Sequence, residues 1–369
     1  MKTSRIARLT VAVLFIAMLV MQVGGFQGAL AATPGVTSVT VSPAAQAAAA
    51  ALWTHAAMAN AKPIPMPVDK GTFAGKPAVA SPEVLGAPGS TPAGAADPSA
   101  AAIAKAAFAA DWQAAGMDAL ADAPASGTPG VYTSYYANLN NMQMMIPHQM
   151  VGRLFISGTF GSGYCSATAI SGNNIVTAAH CVYDLTHGFF SSWAFTPAYR
   201  NGSAPYGTFN ATTCTVLTAW TTSGPYSIQF STPYDLAVCS MGNNSTGHSL
   251  NSMVGFAGRT WNLSYDLNFH DMGYPWNNTN NVPLANAGKY LRLCTAESWE
   301  QYTGVVGIGC NLGPGISGGS WMPNYAPYQT GTVNQVDSVN SGYFIGSPDA
   351  FGIHFSSANI PVLCSARHC

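Results

Sequence analysis

From about residue 150 to the C-terminus, no apolar run is longer than one β-strand. VGRLFIS, SSWAF, CTVLTAW, LAVCSM, YLRLC, VVGIG and FGIHF follow one another, separated by Gly, Pro, Asn and Ser. Breaks at that spacing leave no stretch for the 3.6-residue apolar period of a helix, so the region must fold as many short strands. Such strands protect their edges by closing into barrels or stacking as sandwiches, and the expected fold class is all-β.

The chain before this region has a different character. Lys2, Arg5 and Arg8 precede an apolar stretch from Leu9 to Val23, and Ala29-Leu30-Ala31 offers small residues for cleavage. Residues 1–31 read as a secretory signal removed before Ala32, with Gln22, Gly24 and Gly25 interrupting the run too early for a membrane anchor. Residues 32–135 are rich in Ala, Pro and Gly and hold no cysteine. Ala44–Ala61 and Ser99–Ala121 have helix propensity, whereas Pro63–Pro98 reads as an extended linker. Helices built mostly from alanine bury little apolar area, so this leader is expected to be a propeptide, removed or left dangling, or a spacer, and not an independent domain. Residues 136–369 form the expected globular domain.

Only 7% of the 369 residues are charged and the formal net charge is -1, which argues against a nucleic-acid partner and against charge-steered recognition. All 8 cysteines, at 165, 181, 214, 239, 294, 310, 364 and 369, lie in the strand-rich region. An even count in an exported domain points to disulfides, and no Cys-x-x-Cys or adjacent His pair offers the spacing of a metal site. One bridge has a local argument. Ser171-Gly172-Asn173-Asn174 marks a hairpin between YCSATAI and IVTAAHC, and with the apex at Asn173 each of Cys165 and Cys181 stands eight residues away, face to face across the ladder.

Three segments carry the residue types of nucleophilic catalysis: His180 in TAAHC, Asp235 in PYDLAVCSM and Ser317 in GPGISGGSW. A serine hydroxyl near neutral pH needs an imidazole to take its proton and a carboxylate to orient that imidazole. The glycines around Ser317 let backbone amides converge, and those of Gly315 and Ser317 are the expected oxyanion donors. The bland alternatives are a core histidine, a turn-capping aspartate (with Asp184 and Asp266 as competitors for the acid) and an ordinary turn serine.

With these motifs the sequence resembles the trypsin-like, chymotrypsin-fold serine peptidases, in the secreted bacterial branch that includes the glutamyl endopeptidases. TAAHC, YDLAV and GISGGS occur in the family's order His, Asp, Ser, and the resemblance covers about 150 to 369. It implies two six-stranded antiparallel β-barrels with the site between them, and a secreted serine endopeptidase in which His180 is the base, Asp235 its orienting acid and Ser317 the nucleophile. It further implies polypeptide substrates, a monomer, and neither cofactor nor catalytic metal. After the signal is removed no membrane partner is expected. Ile316 stands where many animal members carry the aspartate that pairs with a new amino terminus, so that activation switch is not available; processing is expected between Gly130 and Val151. His354, in FGIHF, matches the pocket histidine of the glutamyl enzymes, and Asn311, six residues before the nucleophile, leaves the pocket base uncharged. The two together suggest Glu or Asp at P1, the alternative for His354 being a strand residue packed beneath the pocket. The remaining cysteines fit a sequential scheme, Cys214 with Cys239, Cys294 with Cys310 and Cys364 with Cys369. Two further readings keep the composition and drop the chemistry: an inactive homologue serving as a secreted binding module, and a disulfide-rich carbohydrate-binding protein using its Trp and Tyr.

Overall fold

The strand-rich region folds as two closed six-stranded antiparallel barrels. A computed structural model describes residues 35–69, 84–99, 102 and 132–369, apart from 138, 160, 225 and 228–231. The first barrel contains β1 (Val151–Gly158), β2 (Gly161–Ile170), β3 (Asn174–Thr177), β4 (Ser192–Pro197), β5 (Phe209–Leu217) and β6 (Ala237–Met241). Its order is β5-β4-β1-β2-β3-β6, and pairing of β5 with β6 closes the ring. The second contains β7 (Asn268–Gly273), β8 (Arg292–Tyr302), β9 (Val305–Ile308), β10 (Ser320–Met322), β11 (Ser338–Phe344) and β12 (Ala350–Ile353). Here the order is β7-β10-β11-β12-β9-β8, closed by β7 against β8. Closure leaves no bare edge within either ring, which is how a chain with so little charge protects its strands from pairing with another copy.

Leu154, Val176, Val216 and Val238 are among the fully buried residues of the first barrel, and Phe269, Val306, Ile308 and Trp321 of the second. At ~25 cal/mol per Å² of apolar surface removed from water, such side chains supply the main driving force for each barrel. The cysteines form Cys165–Cys181, Cys214–Cys239, Cys294–Cys310 and Cys364–Cys369. Bridges of this kind typically add ~2 to 4 kcal/mol each. The first arises by a route the spacing does not give. The β2–β3 register pairs Ile170 with Asn174 and Thr168 with Val176, so the turn is centred on Gly172 and not on Asn173. Ser171, Gly172 and Asn173 form a three-residue loop, in which Gly172 and Asn173 both adopt positive φ, +74° and +57°. Strand β3 ends at Thr177, and Cys181 reaches Cys165 from the short 3-10 turn Ala179–Cys181 that follows it.

The described parts of the leader lie on the barrels. Val36–Thr40 adds an antiparallel strand to β5, with Val36 opposite Leu217 and Thr40 opposite Thr213. The helices Pro43–Leu52 and His55–Asn60 follow, each N-capped by a hydroxyl, Ser42 Oγ for Ala45 N and Thr54 Oγ1 for Ala57 N. Both fall in the stretch Ala44–Ala61 expected to be helical, the first beginning one residue before it. Arg153 on β1, 1% exposed, explains why the following loop is fixed: its guanidinium donates to Met58 O, Ala61 O and Gly288 O. A buried cation is tolerable only when its charge is offset by such acceptors; Nη1 and Nη2 have them, Nε has no hydrogen-bond partner among the described residues, and two of the three carbonyls belong to the leader. Ser99–Ala121 lies outside the described residues except at its first positions, and the signal segment lies wholly outside them.

Candidate active site

The short 3-10 turn after β3 turns His180 towards the start of β6, where Asp235 is fully buried. Asp235 receives both hydrogens that His180 offers on that side: the backbone N donates to Oδ1 at 2.7 Å, and ring Nδ1 lies 2.8 Å from Oδ2. Ser341 Oγ, from β11, donates to the same Oδ2 at 2.5 Å. A carboxylate held from three directions cannot rotate, and with the proton on Nδ1 the imidazole keeps Nε2 as an acceptor. Ser341 is a functional candidate that sequence reasoning missed, because a Ser-Gly step in an apolar run carries no local signature.

Ser317 sits in the loop Gly313–Gly319, between β9 and β10 and fastened to both barrels. Ser317 O accepts from Ser166 N on β2 at 2.7 Å, and Gly318 N donates to Asn340 O on β11 at 2.8 Å. The loop needs glycine at two points. Gly315 has φ +102°, and a Cβ there would lie 2.6 Å from Tyr164 Oη and Tyr274 O. Gly318 has φ +75°, and its Cβ would lie 2.0 Å from Thr177 Oγ1 and 2.8 Å from Ala178 N, two residues before His180. The loop that carries Ser317 therefore packs directly on the turn that carries His180. Ile316 is fully buried in the second barrel's core.

Ser317 Oγ and His180 Nε2 are both buried, and neither has a hydrogen-bond partner among the described residues, so they are not bonded to each other in this structure. The amides of Gly315 and Ser317 likewise donate to no acceptor among the described residues. Asp184 and Asp266, the competitors for the acid, lie elsewhere: Asp184 closes a surface turn with Thr186 and His187, and the backbone of Asp266 bonds Ser264 Oγ.

Asn311 and His354 are held by other contacts. Asn311 Oδ1 accepts from Thr279 N at 3.0 Å and Thr279 Oγ1 at 2.8 Å. His354 is 2% exposed, its Nε2 lies 2.9 Å from Leu263 O, and its ring stacks on Tyr265 with centroids 4.0 Å apart. The hydroxyl of Thr279 also touches Ser347 O, and Ser347 Oγ donates to Asp349. A buried acid thus stands at the end of the polar chain that begins at Asn311. Burial pushes the Asp349 carboxyl up to about 6, opposed by the Ser347 hydrogen bond.

A second buried acid is linked to the loop that carries Ser317. Asp271 on β7 accepts from Asn340 Nδ2 at 2.6 Å, the residue whose carbonyl holds Gly318 N. Burial pushes its carboxyl up to about 8, with the Asn340 bond pulling the other way. An acid with a folded pKa above its unfolded ~3.9 binds more protons when folded. Its contribution to stability is full below ~pH 4 and is lost as pH rises towards about 8. We expect urea unfolding to show lower stability at about pH 8 than at about pH 5, and Asp271→Asn to reduce that difference. An undiminished difference in the variant would remove Asp271 as its source.

No known family's sequence profile matches the chain. Among solved structures, the protease Anisep from Arthrobacter nicotinovorans superposes with a TM-score of 0.50 at 27% identity, covering 59% of this chain and 95% of its own. The chain has the chymotrypsin fold. The thermostable serine protease AL20 from an extremophilic microorganism gives TM-score 0.49 at 24% identity, with 60% and 97% of the two chains covered. A Glu endopeptidase structure gives TM-score 0.49 at 18% identity, with 66% and 99% covered. One curated relative, the extracellular metalloprotease of Bacillus subtilis, is 28% identical over 158 residues, 40% of this chain. The chain spans about half of that relative's length, 46%. A metal does not fit this chymotrypsin-fold cleft through its one His/Cys/Asp/Glu cluster among the described residues, Cys165, His180 and Cys181, because both sulfurs are bonded to each other. No described helix is long and apolar enough to cross a membrane.

Proposed function

We propose that the protein is a secreted serine endopeptidase, with Ser317 as nucleophile, His180 as general base and acid, and Asp235 as the residue that orients His180. The observation that carries this reading is the pair of hydrogen bonds from His180 to Asp235, through backbone N and ring Nδ1, beside a nucleophile loop that packs on the histidine's own turn. Ser317 Oγ attacks the carbonyl carbon of the scissile bond while its proton passes to His180 Nε2. The carbonyl oxygen takes the negative charge and accepts from Gly315 N and Ser317 N. His180 then gives the proton to the departing amine, leaving an acyl-Ser317 ester. Water, deprotonated by the same Nε2, hydrolyses that ester and restores the hydroxyl. Export supplies the oxidising compartment in which four disulfides persist.

The finer reading, a preference for Glu or Asp at P1, is supported by the neutral amide of Asn311 and opposed by two placements. His354 is bonded to Leu263 O, and the Asp349 carboxyl stands close to the Asn311 network. Digestion of a peptide library tests both levels. Endoproteolytic products that disappear in His180→Ala are expected for the peptidase, and their absence both from the full wild-type chain and from the same chain after removal of its leader would refute it. A P1 profile dominated by Glu and Asp supports the finer reading; a basic profile would replace it with selection by Asp349.

A further inference from the structure

The leader segment Lys62–Asp69, KPIPMPVD, crosses the cleft beside His180. At its start, Ile64 N donates to Tyr164 O and Tyr164 N donates to Lys62 O, both at 2.9 Å, a parallel bridge to β2 next to Cys165. At its end, Val68 and Asp69 pair in parallel with Tyr343 and Phe344 of β11. Between these anchors Pro67 O lies 2.7 Å from where a Cβ on Gly342 would stand, and Gly342 follows Ser341, the residue bonded to Asp235. Pro63 to Val68 line one cavity of about 1020 Å³ together with His180, Tyr183 and Trp220.

The segment has the build of a peptide laid into a groove. Its side chains alternate as in a strand: Ile64 and Met66 are buried, at 8% and 5% exposure, while Lys62 and Pro65 are exposed. Met66 joins the apolar cluster that contains Ile316 and Tyr343. Pro63, Pro65 and Pro67 fix φ and remove alternate N–H groups, so the segment is extended before it binds and loses little entropy in doing so. Lys62 Nζ lies 3.8 Å over the Trp276 ring, and Arg153 holds the carbonyls of Met58 and Ala61 just upstream. The strap is therefore delivered to the cleft from a fixed point.

We infer that Lys62–Asp69 is an intramolecular competitive inhibitor, and that the backbone edges at Tyr164 and at Tyr343–Phe344 are the ones on which an extended peptide binds. This rests on the peptidase reading above. Tethering gives the strap a high effective concentration, so few bonds suffice to hold it, and those same few bonds let it leave once the chain is cut beyond Asp69. Such a cut keeps the leader carbonyls on Arg153 and so leaves that buried cation its acceptors.

The test uses the full secreted chain, its Met66→Asp and Ile64→Pro variants, and a fluorophosphonate probe. Met66→Asp places a charge in the apolar cluster; Ile64→Pro deletes the N–H that bonds Tyr164 O while keeping an extended backbone. Both variants are expected to label about tenfold faster or more, and the synthetic peptide KPIPMPVD, added at millimolar concentration, is expected to slow Met66→Asp again and be recovered uncut. Equal labelling of wild type and a folded variant, or no effect of the peptide, would overturn the inhibitor and leave the peptidase standing. No labelling in any form would take down the peptidase reading and this inference with it. Far-UV circular dichroism identifies a variant that fails to fold, and the other then decides the result.

Discussion

Ser317→Ala is expected to lower kcat on the order of 10⁶-fold, about 8 kcal/mol of barrier, while leaving the unfolding midpoint unchanged or slightly raised. The loss of rate follows from the role: alanine has no atom to form the acyl ester, and the oxyanion amides and binding edges supply only the residual acceleration. The unchanged stability follows from the structure. Ser317 Oγ is buried and bonds nothing among the described residues, so deleting it breaks no contact and removes an unsatisfied polar group. The backbone bonds that shape the loop, Ser166 N to Ser317 O and Gly318 N to Asn340 O, survive the substitution. Turnover of a cleavable peptide and chemical denaturation of the same sample check both halves. A large loss of stability would mean that the hydroxyl is structural.

Asp235→Asn should cost about 10⁴-fold in kcat, near 5.5 kcal/mol, with KM almost unmoved. Asparagine keeps the shape but carries a single oxygen acceptor. Asp235 now accepts from His180 N, His180 Nδ1 and Ser341 Oγ through two oxygens. If the amide nitrogen faces the ring it donates to Nδ1, which forces the imidazole hydrogen onto Nε2, and an Nε2 that carries hydrogen cannot take the serine proton. If the amide oxygen faces the ring, the tautomer is right but His180 N and the cationic form of the ring lose their carboxylate. Steady-state kinetics on a peptide substrate distinguish this from damage to binding, which would appear in KM.

Much of this was legible in the sequence because it is written locally. Short apolar runs between turn residues dictate strands, and TAAHC and GISGGS place a histidine and a glycine-framed serine in conformations their neighbours require. Cys165–Cys181 was legible as a pair for an inexact reason: the turn is centred one residue earlier, and the 3-10 turn at Ala179–Cys181 makes up the difference. Ser341 was not legible, since its role comes only from β11 passing Asp235 across the cleft. The strap was hidden for the same kind of reason. KPIPMPVD has the composition of a linker, and only the backbone edges it meets at Tyr164 and Tyr343, far away in the chain, make it a bound peptide. The contacts of His354 with Leu263 and Tyr265 are likewise a matter of a distant loop.

The most direct test of the central claim, that His180 held by Asp235 activates Ser317, is to map the site of fluorophosphonate modification by mass spectrometry. Wild type and the strap variant Met66→Asp would be treated alongside the same chains carrying His180→Ala. A single adduct on Ser317 that forms in the first two and is slowed more than about 100-fold by His180→Ala is the predicted result. An adduct on another serine, or one on Ser317 that forms just as fast without His180, would contradict it.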